Sequence, residues 1–81
     1  MAKPPRREDI IRVEMIIPPV SQEKGEGLYE WRHMDEKFTV DWFDLKRELE
    51  SVMPGRSEDL LDRLQNFRKI YMNLRTGEVS T

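Results

Sequence analysis

At Asp41 the spacing of apolar residues in this chain changes, and that change limits the folds open to it more than any other feature. Before Asp41 apolar and polar residues alternate, the period of a strand covered on one face. After it the apolar residues recur every three or four positions, the period of an amphipathic helix. In DIIRVEMII, Ile11, Val13, Met15 and Ile17 fall on one face of a strand, and Ile10, Arg12, Glu14 and Ile16 on the other. Pro18 and Pro19 end that strand, because proline lacks the ladder donor and restricts the residue before it. LYEWRHM reads as a second strand, with Tyr29, Trp31 and His33 on one face and Leu28, Glu30, Arg32 and Met34 on the other. Asp35-Glu36 is placed to turn the chain into a short third strand, KFTV.

Beyond Asp41, Trp42, Leu45, Leu49, Val52 and Met53 form one helical stripe, with Phe43 beside it. Asp41 is a suitable N-cap, and Asp44 lies in the first turn, where the helix dipole favours an acid. Val40 and Leu45 are spaced to staple across the cap. Pro54-Gly55 stops the helix. Ser57 is expected to cap a second helix, with Glu58, Asp59 and Asp62 near its start, Arg63, Arg68 and Lys69 later, and Leu60, Leu61, Leu64, Phe67 and Tyr71 as its stripe. Two endings fit it: a helix running to about Met72, or a stop near Phe67 with residues 69–74 forming a strand. The pattern Tyr71-x-Asn73-x-x-Thr76-Gly77 resembles the second hairpin of WW domains. The resemblance covers about the last dozen residues; the later tryptophan and proline of that family are missing, as is its first tryptophan strand. What it implies is local, a tight turn near Arg75 to Gly77, where glycine supplies positive φ.

The expected architecture is α+β. A small antiparallel sheet of two or three strands comes first, two helices pack on one of its faces, and a short C-terminal strand or hairpin extends it. Residues 1–8 read as a basic, proline-containing arm, 9–74 as the domain, 75–81 as a turn and tail, and VSQEKGEG as a polar connection.

A chain of 81 residues buries only roughly 60–65% of its unfolded surface, so its core is small. Domains of this size often add disulfides, a metal or a second subunit. With no cysteine and a single histidine, disulfides are excluded and a structural zinc is not expected. No cofactor is expected, and association with a protein becomes the natural remaining support. The 14 basic and 16 acidic residues are spread evenly: residues 1–27 carry 5 and 5, 28–56 carry 5 and 7, and 57–81 carry 4 and 4. A nucleic-acid binder usually shows a basic excess, so that class becomes the alternative. No apolar run approaches the roughly 20 residues of a membrane span, and MAKPPRREDIIR lacks a secretory pattern, so a cytoplasmic, membrane-free protein is expected.

No sequence pattern assembles a catalytic constellation. His33 has no cysteine to activate, and the serines lie in loops or near helix ends without a nucleophile elbow. The expected function is therefore non-enzymatic: a small interaction module, an accessory or inhibitory factor that docks on a larger protein or on its own copy. The expected surface is the outer sheet face or the edge of the first strand, with Tyr29, Trp31, His33, Arg12 and Glu14 as partner-binding residues. Isoleucine on both faces of the first strand suggests that something covers the second face. In the nucleic-acid alternative Tyr29 and Trp31 stack bases while Arg32, Arg6 and Arg7 meet phosphates, or Arg63, Arg68 and Arg75 line a duplex backbone.

Overall fold

The computed structural model describes residues 6–18 and 27–81. A 3-10 turn at Arg7–Asp9 leads into β1 (Ile10–Ile17), followed by β2 (Leu28–His33), β3 (Glu36–Val40), α1 (Trp42–Val52), α2 (Ser57–Phe67), β4 (Lys69–Asn73) and β5 (Val79–Ser80). The five strands form one sheet in the order β3-β2-β1-β4-β5, with every neighbouring pair antiparallel. The α+β class and the two helices on one face are as the periodicity predicts, but two or three strands understates the sheet. Residues 69–73 take the strand alternative and pair with β1, and Val79–Ser80 closes the edge. That pairing places β1 in the centre, so the first strand offers no free edge.

Register aligns the inward side chains into one apolar layer. Val13 lies opposite Trp31 on β2 and Ile70 on β4, Ile11 opposite Met72, Trp31 opposite Phe38, and Tyr29 opposite Val40. Leu45 and Leu49 of α1 and Leu60, Leu61 and Leu64 of α2 cover this layer and complete the core. Trp31 and Phe38 stack with ring centroids 6.1 Å apart, and Tyr29 meets Trp42 of α1 at the same separation.

The ends of the elements explain where the structure follows the sequence reading and where it departs from it. Asp41 caps α1, its carboxylate accepting from the Asp44 N–H at 2.9 Å. Ser57 does not cap α2: Arg56 holds the N-cap position without a side-chain cap bond, and Ser57 is the first helical residue and buried. Instead Glu50, at the end of α1, accepts from the Gly55 N–H at 2.9 Å and ties the corner between the helices. α2 stops at Phe67 because Arg68 turns left-handed, at φ 68°. The Arg68 carbonyl then accepts from the Met15 N–H at 2.7 Å, which starts the β1–β4 ladder. The β2–β3 turn uses Met34 and Asp35 rather than Asp35 and Glu36, with Met34 at φ 57°. The tight turn expected near Arg75–Gly77 is present. The Asn73 side-chain oxygen accepts from the N–H groups of Arg75 and Thr76, and Gly77 takes φ 77°. Arg56 donates to the Gly77 carbonyl at 2.6 Å, joining this turn to the helix corner.

Of the expected arm, residues 1–5 lie outside the described residues, as do residues 19–26, which hold all of the polar connection but Gly27. Residues 6–9 are tied to the β2–β3 end: Arg7 pairs with Asp35 at 2.7 Å, and the His33 Nε2–H donates to the Glu8 carbonyl at 2.7 Å.

Candidate functional site

The helices cover the Tyr29–Trp31 face, and this divides the expected site in two. Tyr29 is fully buried and Trp31 is 4% exposed. Neither offers a surface to a protein or a base, and burial pushes the Tyr29 phenol above its ordinary value. The base-stacking version of the nucleic-acid reading, which used these two rings, loses its platform. His33 lies on the same side at the end of β2, half-buried and engaged with Glu8. Arg12 and Glu14 point to the opposite, uncovered face, because successive side chains on a strand alternate.

That open face is charged rather than apolar, which corrects the expectation drawn from the isoleucines of β1. Ile10 is half-buried at one end. Ile16 and Ile17 lie beyond the β1–β4 pairing, where a bulge after Met15 sets β1 out of step with β2. They are 46% and 55% exposed. Between these ends the residues fall into two rows running across the strands. One row is Tyr71 on β4, Arg12 on β1, Arg32 on β2 and Lys37 on β3. The next is Lys69, Glu14, Glu30 and Thr39. Arg12 therefore lies directly opposite Arg32, Arg32 opposite Lys37, and Glu14 opposite Glu30. Like charges facing each other across strands destabilise a sheet, typically by a few tenths of a kcal/mol up to about 1.

Attraction between the two rows offsets that cost. Arg12 pairs with Glu14 at 2.6 Å, Arg32 with Glu30 at 3.4 Å, and Lys37 with Glu30 at 3.7 Å. Lys69 lies over the Tyr71 ring, 5.5 Å from its centroid. The Glu30 side chain is only 17% exposed, packed between two cations. The buried Nε of Arg12 has no acceptor among the described residues. Each row is uniform in the sign of its charged groups on β1 and β2, and the two rows have opposite signs there. Independent strand periodicities conceal this arrangement, because only the register brings Arg12, Arg32 and Lys37 into line.

Elsewhere the surface is less organised. An open groove of about 570 Å³ is lined by Phe43, Lys46, Arg47, Glu50, Ser51 and Ser57. Its one carboxylate, Glu50, is held below the usual range by the Gly55 N–H and then by Ser57. Among the described residues no group of three or more His, Cys, Asp or Glu is placed to hold a metal ion. No described helix is long and apolar enough to cross a membrane. Two of the three arginines considered for a duplex backbone have acidic neighbours: Arg63 meets Asp59 at 3.4 Å and Arg75 meets Asp9 at 3.8 Å. No family model, curated protein or solved structure matches this chain.

Proposed function

We propose that this chain is a small non-enzymatic interaction module that docks on a protein surface through the open face of its sheet. The observation that carries this reading is the ordering of charge on that face into adjacent rows that are opposite in sign on β1 and β2. Such a pattern recognises a partner with matching charge, where electrostatic complementarity sets orientation and excludes wrong partners more than it adds raw affinity. Arg12, Glu14, Glu30, Arg32 and Lys37 are the residues assigned to contact. Tyr29 and Trp31 act as the packed support beneath them.

The second reading, nucleic-acid binding, draws on the cation row Arg12–Arg32–Lys37 beside Tyr71. It is less favoured because Glu14 and Glu30 already sit within ion-pair distance of those cations, and a phosphate would compete with them. Capture from a lysate by the wild-type chain and by Arg32→Glu, with and without nuclease, separates the readings. The docking reading expects a protein retained after nuclease and lost with Arg32→Glu. Retention that nuclease abolishes, with affinity falling steeply in salt, moves the assignment to nucleic acid. A retained protein indifferent to Arg32→Glu removes the open face from the account.

A further inference from the structure

Resting on the docking reading above, we propose that the partner of the open face is the same face of a second copy of this chain. The two copies are related by a two-fold axis that lies across the strands between the two charged rows.

The rows dictate this geometry. Neighbouring strands are about 4.8 Å apart and alternate residues on a strand about 7 Å apart, so the open face is a grid. Rotation by half a turn about an axis between the rows carries each row onto the position facing the other. Arg12 of one protomer then faces the partner's Glu14, and Arg32 faces the partner's Glu30. Lys69 faces the partner's Tyr71, extending across the interface the cation–ring contact already present within one chain. Lys37 faces the partner's Thr39, which adds no like-charge contact. The two-fold makes every pair occur twice, as a closed isologous interface requires.

What makes the face complementary to itself is the change of sign along each strand, from Arg12 to Glu14 on β1 and from Arg32 to Glu30 on β2. A face whose two rows carried the same sign on each strand would lack this property about that axis. Sheets packed face to face lie about 10 Å apart, a distance that arginine and glutamate side chains span together.

The face is small. Four strands by two rows cover about 20 by 14 Å, well under the roughly 800 Å² per partner of a standard stable interface. The dimer is therefore weak, with a Kd between about 10 µM and 1 mM, and sensitive to salt because its contacts are charged and near the surface.

Sedimentation equilibrium of the full chain, from about 10 µM to about 1 mM and in about 50 mM and 500 mM salt, tests this. The expected result is a monomer–dimer equilibrium at low salt whose Kd rises at least about tenfold at high salt. Arg32→Glu and Glu30→Lys, each checked for native circular dichroism, are each expected to weaken self-association by at least about tenfold. An equimolar mixture of the two is expected to restore a dimer, because the carboxylate introduced in one chain then faces the ammonium introduced in the other. Arg32 is half-exposed, so its variant tests the face even if Glu30→Lys fails to fold. A wild-type chain that stays monomeric at low salt overturns the proposal, and so does a dimer unmoved by Arg32→Glu. A monomer that still loses a nuclease-resistant protein partner on Arg32→Glu ends the self-pairing inference and leaves the docking reading standing.

Discussion

Met34 and Arg68 are the two described residues other than glycine with positive φ, and each stands where the sequence reading blurs. A left-handed residue with a side chain costs roughly 1–2 kcal/mol, and glycine or asparagine normally occupies such a position and advertises it. Methionine and arginine carry no such signal. The sequence accordingly places the β2–β3 turn one residue late and leaves the end of α2 open between two alternatives. Arg68→Gly is expected to stabilise the fold by about 0.5–1 kcal/mol. The left-handed geometry costs glycine little, although its freer unfolded chain offsets part of the gain. Urea denaturation of both proteins measures it. A loss of stability instead means that the arginine side chain supports the corner more than its backbone strains it.

At the scale of elements, corners carry the specificity that stripes lack. The helix stripes read correctly from sequence, apart from Phe67, which is exposed at the end of α2, and Tyr71, which belongs to β4. The corner between α1 and α2 does not. Ser57 has the chemistry of a cap, whereas the carboxylate of Glu50 accepts the Gly55 N–H. That bond, with a further one from Ser57, lowers the Glu50 pKa below its ordinary 4.5. A carboxylate whose pKa is lower in the folded chain than in the unfolded one contributes stability above the unfolded value. The contribution is lost as pH falls through the folded value. The loss therefore begins near pH 4.5 and is complete only below the lowered value. Stability of the wild type and Glu50→Gln, measured at about pH 6 and about pH 3, is expected to differ at the higher pH and to converge at the lower. An undiminished difference at low pH assigns the residue a packing role.

For the whole molecule, the decisive fact is which face of the sheet the helices cover. Trp31 sits at the centre of the covered layer, opposite Val13 on one side and Phe38 on the other. Trp31→Ala is expected to cost about 3–5 kcal/mol, as large-to-small changes at buried aromatic positions do. A domain of this size has little more than that in total, so the variant is expected to be largely unfolded at room temperature by circular dichroism. A folded Trp31→Ala that had lost only partner binding would return the ring to the surface. The charged rows depend on this packing, because every residue in them is held by a strand whose other face is in the core.

Local periodicity determined what most segments become: strands before Asp41, helices between Trp42 and Phe67, a cap at Asp41 and a turn before Gly77. Those features rest on residues within a few positions of one another, and sequence order displays them. The tertiary structure alone decided that β1 is central, that residues 69–73 are its second neighbour, and that the face with Tyr29 and Trp31 is inside. β1 taken alone is ambiguous, since both of its faces carry isoleucine. The choice resolves only when register sums the faces across strands, setting Trp31, Phe38, Ile70 and Met72 beside Ile11 and Val13 on one side. The other side collects Arg12, Arg32, Lys37, Glu14 and Glu30. Burial follows that sum, because the free energy of covering a sheet scales with the apolar area of the whole face and not with the pattern of any one strand.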